Sequence, residues 1–306
     1  MNKPRVICLV GPTGSGKTAA ALLLADKLHG AVINADSRQV YADFPLITAQ
    51  PSAAEQGACP HYLYGFLPTV EKMSAGQWVG RAVEKIHELC AQGLVPILVG
   101  GTGLYFKALL EGIAEIPAVD AEIGTRLLQE CRECGPQTLH KRLMQVDAVY
   151  AGRIHPHDTQ RIMRALEVWE GTGKTFSWWH SHAMPEPACV GLRVGLDWDL
   201  ATLTPRLYQR IDHMLAAGAV DEARAAWTHC ADAGAAGWSG IGCAELLDFI
   251  CERRSLEATR ALWATHTRAY AKRQLTWFRA DTQLHWFAPG NISSLCGMAQ
   301  NFIFSS

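Results

Sequence analysis

The chain has 306 residues, of which 49% are hydrophobic, so it can build one or two domains with a sizeable core. Its 28 basic and 29 acidic residues nearly cancel, and these totals disfavour a protein that binds nucleic acid over its whole surface. The N-terminal sequence MNKPRVICLV leaves no room for a signal peptide, and no apolar run is long enough to cross a bilayer. We therefore expect a cytoplasmic protein without a membrane segment.

The sequence contains ten cysteines. In a cytoplasmic protein they stay reduced and mostly fill the core. Cys131 and Cys134 have the C-x-x-C spacing of metal and redox sites, but a structural zinc ion needs a second ligand pair and only His140 lies near. The sequence favours core packing over zinc binding for these two residues.

Short apolar runs alternate with helical segments in the first third of the chain. This alternation predicts βαβ units, a parallel sheet and helices on both of its faces. The predicted strands are residues 5–10, 31–35 and 94–99, and the predicted helices are residues 17–28 and 75–90.

Three polar or glycine-rich segments follow directly after these strands. They are the loop at residues 11–18, Asp36 and the GGTG sequence at residues 100–103. Ligands of parallel sheets bind at the carboxyl ends of the strands. We therefore expect the three segments to converge on one site.

The second half of the chain is mostly helical. Residues 120–172 have Leu, Arg, Glu and Gln at helical spacing, which predicts a helical insertion, and residues 180–187 form a returning loop. A strand at 189–196 rejoins the sheet, and helices follow at 203–217, 219–230, 240–252 and 256–279. The predicted organisation is an α/β core of residues 1–116 and 188–306 with a P-loop NTPase-like parallel sheet, a helical insertion at residues 117–187 and a helical C-terminal part.

The clearest motif is GPTGSGKT at residues 11–18, which satisfies G-x-x-x-x-G-K-[ST] between a predicted strand and a predicted helix. Glycines let the backbone amides point inward, and the helix N-terminus favours anions. Lys17 supplies a cation for the terminal phosphate, and the Thr18 hydroxyl suits Mg²⁺ or a phosphate oxygen. The motif predicts nucleotide or diphosphate binding by Gly11, Pro12, Thr13, Gly14, Ser15, Gly16, Lys17 and Thr18.

The motif leaves the reaction open. P-loop nucleotidases usually pair it with a strand that ends in Asp for Mg²⁺, whereas the strand at residues 94–99 ends in Gly-Gly-Thr-Gly. Asp36 is the only acid at a nearby strand end. It can hold Mg²⁺ through water, orient an acceptor or accept a proton, but a lone Asp in this position is also typical of a cap or turn.

Two basic segments contrast with the neutral total charge. Residues 158–167 place Arg161 and Arg164 on one helix face. In residues 268–279 a basic stripe, interleaved with aromatic residues, consists of Arg268, Lys272 and Arg279, with Arg273 to the side. Such a stripe can bind a phosphate backbone while aromatic rings stack on bases, but a solvated helix face is an equally good interpretation from spacing alone. Arg224 follows Asp221 and Glu222, which favours an ion pair within its own helix.

Taken together, the sequence blocks resemble the tRNA dimethylallyltransferase family, also called tRNA isopentenyltransferases. The blocks run from residue 6 to about residue 287, nearly the whole chain. The phosphate loop is generic, but its combination with the later blocks is specific. The blocks are GPTGSGKT, NADSRQVY, PILVGGTGLYFKALLEG, RIHPHDTQRIMRALEVWEGTGK and AKRQLTWFR.

The resemblance implies transfer of a dimethylallyl group from dimethylallyl diphosphate to N6 of the adenosine immediately 3′ of the anticodon, in tRNAs that read codons beginning with U. Mg²⁺ is the implied cofactor, and the implied fold has an insertion that closes over the anticodon stem-loop of the tRNA. Separately from the resemblance, we expect a monomer. Asp36 matches the general base, while Thr18 and Arg224 match the pair that stabilises the diphosphate. The positions that match tRNA contacts are Asp36, Ser37, Arg38, Gln39, Thr102, Arg126, Gln160, Arg161, Ile162, Met163, Arg164, Lys272, Arg273, Gln274 and Arg279.

The chain departs from the family pattern at two places. Gln50 stands where many members have a lysine that would face an anionic ligand. Cys243, Ala244 and Glu245 replace the usual Y-R-Q, which removes a base contact and would place an acid near the phosphate backbone of the RNA.

Three other functions are open. They are a small-molecule P-loop kinase, a prenyltransferase acting on free adenine nucleotides, and a non-catalytic RNA-binding module. The two basic segments speak against the first two, and the intact loop with Lys17, Thr18 and Asp36 speaks against the third.

Overall fold

The computed structural model describes residues 3–305. These residues form two compact units, one made of the chain up to Leu110 together with the chain from Ala188 onward, and the other of Glu111–Pro187. The smaller unit begins at Glu111 rather than at residue 117, because the chain leaves the larger unit at the end of a helix that the sequence analysis did not predict.

The larger unit is built on a six-stranded parallel sheet with the order β3-β2-β4-β1-β5-β6. The inner strands β1, β2 and β4 are almost entirely buried, as their apolar sequences require. The strands are β1 (Arg5–Val10), β2 (Gly30–Asn34), β3 (His61–Tyr62), β4 (Val95–Gly100), β5 (Val190–Leu196) and β6 (His285–Phe287).

Helices account for most of the remaining chain. In chain order they are α1 (Lys17–Leu28), α2 (Ala53–Ala58), α3 (Ala75–Ala91), α4 (Gly103–Glu111), α5 (Ala121–Cys134), α6 (Pro136–Val146), α7 (Ala148–Ala151), α8 (Thr159–Thr172), α9 (Phe176–His182), α10 (Leu200–Ala216), α11 (Ala219–His229), α12 (Cys243–Ile250), α13 (Leu256–Arg279) and α14 (Ile292–Phe304). A short 3₁₀ turn lies at Ala236–Ser239.

A separate hydrophobic core covers each face of the sheet. On one face, Trp78 of α3 stacks on Tyr105 of α4 with ring centroids 4.4 Å apart, and its indole N–H donates to the Asn34 carbonyl at 2.9 Å. On the other face, Leu24 of α1 packs with Leu295 of α14. Two helix layers therefore hold the sheet, and its carboxyl edge carries the loops that form the site.

A third cluster lies beneath the loop after β2 and joins it to α10, α11, α12 and α13. Phe44 meets Trp238 edge-on at 4.8 Å, and Trp263 is buried in the same cluster. The smaller unit has its own core, which includes Leu127, Leu143 and Leu166.

The prediction of a parallel α/β sheet with helical parts is confirmed. The bounds of β1, α1 and α13 are those expected from the sequence, because each follows an unbroken hydrophobic pattern and α13 begins at a Ser255 cap. The loop expected at residues 180–187 is wrong in part, since α9 extends to His182. The strands β3 and β6 were missed because two or three residues carry no periodicity.

Candidate active site

The phosphate-loop motif joins β1 to α1 at the carboxyl edge of the sheet. Gly14 and Gly16 have φ values of 75° and 91°, a left-handed conformation that favours glycine. Lys17 folds back over the loop, and its Nζ donates to the carbonyls of Gly11 at 2.9 Å and Pro12 at 2.8 Å.

Burial lowers the pKa of Lys17 from its ordinary value of 10.5 to about 8, with Asp36 opposing the shift and Arg210 adding to it. An anion bound in the loop would favour the charged lysine and so raise this pKa again.

The loop forms one side of a cavity of about 490 Å³, here called the phosphate cavity. Asp36 lies in its wall, and one face of α10 lies in another part of the wall. That face consists of residues spaced by three and four along the helix, namely Arg206, Gln209, Arg210 and His213.

A second cavity of about 300 Å³, here called the acceptor cavity, adjoins the first. The two share four lining residues: Thr13, Asp36, Thr48 and Arg210. The acceptor cavity has an apolar and aromatic wall that includes Met214, Ile241, Trp263 and Tyr270, with Arg38 and Arg273 among its polar lining. The Asp36 carboxylate and the Arg210 guanidinium therefore lie where the phosphate cavity meets a cavity with a partly aromatic wall.

Local hydrogen bonds hold Asp36 in place. Its N–H donates to Asn34 Oδ1 at 2.8 Å, and its Oδ1 accepts from the Arg38 N–H at 2.9 Å. The second bond is the turn interaction expected of an Asp after a strand, so the interpretation of Asp36 as a turn residue is correct for Oδ1. The same residue also lines both cavities, so the two interpretations of Asp36 are compatible.

The GGTG sequence after β4 allows other elements to approach closely. A Cβ on Gly101 would collide with the Gln274 amide and lie 3.3 Å from Asp36 Oδ2, and one on Gly103 would collide with Trp277. Thr102 in the same sequence accepts the Ser37 N–H at 2.9 Å. These contacts fix the segment that carries Asp36 against the end of β4, so the expected convergence of the three segments on one site is confirmed.

The structure corrects the position of the cation inferred for the phosphate loop. Arg224 lies outside both cavities, its side chain is 62% exposed, and it pairs with Asp221 at 3.2 Å. On α11 the buried face is formed by small residues such as Ala223, and the next residue is turned about 100° away from it. The structure shows the ion pair within α11 that the local sequence predicts, and the diphosphate contact implied for Arg224 by the family resemblance is wrong.

Arg210 occupies the position expected of Arg224. Its neighbour Leu207 packs against Gly14, where a Cβ would lie 2.6 Å from Leu207 Cδ2, so the packing of α10 against the loop brings the arginine to it. Burial lowers the pKa of Arg210, and Asp36 opposes that shift. Arg210 was not predicted from the sequence. A signal was available, because Arg206 and Arg210 lie four residues apart, and so on one face of α10, next to its apolar stripe.

Two residues matched to tRNA contacts serve the fold instead. Gln274 is 5% exposed; its Oε1 accepts the Thr13 N–H at 2.9 Å and its Nε2 donates to the Gly101 carbonyl at 2.9 Å. It therefore ties the phosphate loop to the GGTG sequence. Ile162 has no exposed surface and packs in the core of the smaller unit.

The other matched positions are divided between the two units. In the smaller unit Arg126, Arg161 and Arg164 are exposed, and each pairs with an acid of that unit. Gln160 is exposed, whereas Met163 is half-buried against the core.

In the larger unit the basic stripe of α13 is exposed at Arg268, Lys272 and Arg279, and Arg273 to its side and Trp277 are exposed as well. Arg273 stacks over Tyr270 at 5.6 Å, and Arg279 pairs with Asp197 at 3.0 Å.

Near Asp36, Ser37 and Thr102 bond to each other. Arg38 donates to Ser239 Oγ at 2.8 Å. Gln39 donates to the carbonyls of Thr48 at 3.0 Å and Ala49 at 2.7 Å, so it serves the backbone of this loop.

Of the residues that depart from the family pattern, Gln50 and Glu245 bond to other parts of the larger unit, and Ala244 is exposed. Gln50 donates to the Tyr41 carbonyl at 2.8 Å. Glu245 is buried, where Oε2 accepts the Gly242 N–H at 2.6 Å and Oε1 bonds to His266 at 2.5 Å. The expectation that this acid would face the phosphate backbone of the RNA is therefore wrong.

The fold and the site together define a parallel α/β protein that holds a phosphate-binding loop and a strand-end carboxylate around one composite cavity. A family model described as "IPP transferase" matches residues 39–281. The chain belongs to the IPP transferase family.

Similar proteins extend over the whole chain. The tRNA dimethylallyltransferase of Nitratidesulfovibrio vulgaris strain Miyazaki F is 57% identical, over 98% of this chain and 93% of the relative. That of Lawsonia intracellularis is 42% identical over 99% of this chain and 100% of its own.

Two solved structures are also similar. The full-length tRNA isopentenylpyrophosphate transferase of Bacillus halodurans has a TM-score of 0.73 at 30% identity, covering 98% of this chain and 97% of its own. A eukaryotic dimethylallyltransferase acting on tRNA has a TM-score of 0.80 at 27% identity, covering 98% of this chain and 79% of its own.

None of the helices within residues 3–305 combines the length and the apolar character needed to span a bilayer. All ten cysteines are free thiols. Core packing is confirmed for Cys131, which is buried in the smaller unit, and is wrong for Cys134, which is exposed at the end of α5.

Proposed function

We propose that this protein transfers a dimethylallyl group from dimethylallyl diphosphate to N6 of the adenosine immediately 3′ of the anticodon in tRNAs that read codons beginning with U. The observation that carries the proposal is the position of Asp36 on the boundary shared by the phosphate cavity and the acceptor cavity. A donor in the first space and a base in the second would meet at this carboxylate.

Asp36 acts on the acceptor. The N6 amine of adenine is a weak nucleophile because its lone pair is delocalised into the ring. A carboxylate held at the amine accepts a proton as the new C–N bond forms, a contribution of about 10² to 10⁴ in rate for a positioned general base. The bond from Oδ1 to the Arg38 N–H keeps the carboxylate oriented before the substrate arrives.

The phosphate loop acts on the leaving group. As the C–O bond of the donor breaks, negative charge grows on the diphosphate. The inward-facing backbone of residues 13–18, the Lys17 ammonium and the Arg210 guanidinium surround the cavity in which that charge develops. No phosphoryl group moves, so the chain has no need of the strand-end Asp that a nucleotidase places after its Mg²⁺-binding strand.

Mg²⁺ fits the donor set of the phosphate cavity. The Thr18 hydroxyl and the Asp36 carboxylate line it, and Mg²⁺ is commonly bound by one or two protein oxygens together with substrate phosphates. Within residues 3–305 no group of three or more His, Cys, Asp or Glu side chains is arranged to hold a metal. The bound ion would neutralise charge on the leaving diphosphate.

The RNA partner is an anticodon stem-loop. The exposed cations of α13, with Trp277 beside them, suit a phosphate backbone and an unstacked base. The aromatic wall of the acceptor cavity suits a purine taken out of the loop stack. The exposed Arg126, Gln160, Arg161 and Arg164 of the smaller unit are the further proposed tRNA contacts.

The test is a transfer assay with the purified chain, Mg²⁺ and an anticodon stem-loop. Labelled dimethylallyl diphosphate should yield N6-dimethylallyladenosine and diphosphate, and labelled ATP should give no phosphorylated RNA. An excess of AMP should leave the rate unchanged. Loss of isopentenyladenosine from cells that lack the protein should accompany this result, whereas phosphoryl transfer or preferential use of AMP would contradict the proposal. We further propose that the protein works as a cytoplasmic monomer, which light scattering and fractionation can test.

A further inference from the structure

The wall shared by the two cavities contains a single helical turn, residues 45–49, here called the 45–49 turn. Thr48 lines both cavities, Ile47 the acceptor cavity and Ala49 the phosphate cavity. The turn is closed by bonds from the Thr48 N–H to Phe44 at 3.1 Å and from the Gln50 N–H to Pro45 at 2.8 Å. One isolated turn is not stable by itself, so its position depends on what holds its ends.

A distant carboxylate satisfies the start of the turn. Glu222 of α11 accepts the Leu46 N–H with Oε2 at 2.7 Å and the Ile47 N–H with Oε1 at 2.8 Å. Both oxygens are used, and each bond spans more than 170 residues of chain. The first N–H groups of a helical turn lack internal partners and favour a negative charge, so this carboxylate acts as a cap supplied from another element.

The other end of the turn is held from the opposite side. Gln39 donates from Nε2 to the carbonyls of Thr48 and Ala49. Gln39 lies three residues beyond Asp36, on the same segment. The turn is therefore fastened to α11 at its start and to the segment that carries Asp36 at its end.

We propose that Glu222 is a positioning residue for the prenyl transfer: through the 45–49 turn it sets the wall that aligns donor and acceptor at Asp36. This inference rests on the proposed function. The side chain lies outside both cavities and acts through backbone groups, so its effect should appear in the rate of transfer by fully folded enzyme.

The decisive variant is Glu222→Gln, which keeps one acceptor oxygen and turns an NH₂ group toward a backbone N–H. A charge-assisted bond of this kind is worth a factor of about 10 to 100, so kcat/KM should fall at least about 10-fold, with kcat lowered and the KM for the donor raised. Glu222→Asp should recover part of the loss because it restores the carboxylate. The matched control is Asp221→Asn, which makes the same charge change one residue away on a side chain that is 80% exposed, and it should stay within twofold of wild type.

Kinetics are measured at a temperature where circular dichroism shows every variant fully folded. Hydrogen exchange without substrate is measured in parallel, and the Leu46 and Ile47 amides should exchange at least about 10-fold faster in Glu222→Gln. If folded Glu222→Gln has wild-type kcat and KM, the inference is wrong. If the wild-type chain transfers no prenyl group, the proposed function fails instead.

A second variant covers the case in which Glu222→Gln does not fold. Gln39→Met removes the anchor at the other end of the turn. Because Gln39 itself lines the phosphate cavity, the inference requires that a lower kcat be accompanied by faster exchange of the Ala49 and Gln50 amides. Unchanged kcat in folded Gln39→Met would overturn the inference.

Discussion

Substitution of Arg210 tests the placement of charge around the leaving group. Arg210 lines both cavities on a helix that packs against Gly14 of the phosphate loop, whereas Arg224 is exposed beside Asp221. A preorganised donor aimed at developing negative charge is worth about 2.7 to 4 kcal/mol, or about 10² to 10³ in rate. An exposed ion pair between residues one helical turn apart contributes about 0.3 to 0.5 kcal/mol to stability. Arg224 lies outside both cavities, so it does not reach the reacting atoms. Arg210→Gln should therefore lose about 10² to 10³ in kcat/KM, and Arg224→Gln less than about twofold.

The assay is steady-state transfer from labelled dimethylallyl diphosphate to an anticodon stem-loop, with folding of each variant checked by circular dichroism. Binding of inorganic diphosphate, measured by calorimetry, should weaken in Arg210→Gln and stay unchanged in Arg224→Gln. The reasoning is refuted if Arg224→Gln loses more than about 10-fold while folded Arg210→Gln remains within threefold of wild type.

Three further predictions concern Asp36, Gln274 and Lys17. Asp36→Asn keeps an oxygen that accepts the Arg38 N–H but removes the carboxylate that acts as a base, so kcat should fall about 10² to 10⁴-fold. A change of more than threefold in the Kd for the stem-loop would show a role in binding instead. Gln274→Leu removes the partner of the buried Gly101 carbonyl and of the part-buried Thr13 N–H, so the free energy of unfolding should drop by about 1 to 3 kcal/mol. The exposed Thr276→Ala should leave it unchanged, and weaker stem-loop binding of Gln274→Leu at unchanged Tm would restore the tRNA role. Because the pKa of Lys17 is lowered to about 8, the free loop loses its charge as pH rises through 8. Diphosphate affinity should therefore fall above this pH, by at most about 10-fold per pH unit, and a Lys17→Met variant with the same pH profile would contradict this assignment.

The lowered pKa of Lys17 affects protein stability and diphosphate affinity with opposite signs as pH rises. A lysine whose pKa is lowered in the folded protein holds fewer protons there than in the unfolded chain between pH 8 and 10.5. Its contribution to the free energy of unfolding therefore rises with pH over that window, while affinity for diphosphate falls.

Local sequence determined the strand-loop-helix unit at residues 5–28. A β-branched apolar run, glycines at the two left-handed positions and a helical apolar spacing all act within a few residues of each other, so no distant contact is needed to specify the result. The same holds for α13, and for the alternation that predicted a parallel sheet. Asp36 was found for the same reason, because the end of a buried strand is a local feature with a fixed place in such a sheet.

Tertiary structure decided which way each side chain on a helix or loop faces. Arg210 and Arg224 are both arginines on amphipathic helices, and only the packing of Leu207 on Gly14 sets which one reaches the phosphate loop. By sequence, Gln274 lies within the basic segment 268–279. In the structure α13 packs against two glycine-rich loops, and the buried Gln274 side chain hydrogen-bonds to both of them. Glu222 and the turn it caps are separated by more than 170 residues. A local pattern fixes the conformation of the backbone, whereas helix rotation and long-range hydrogen bonds follow from packing of the whole chain.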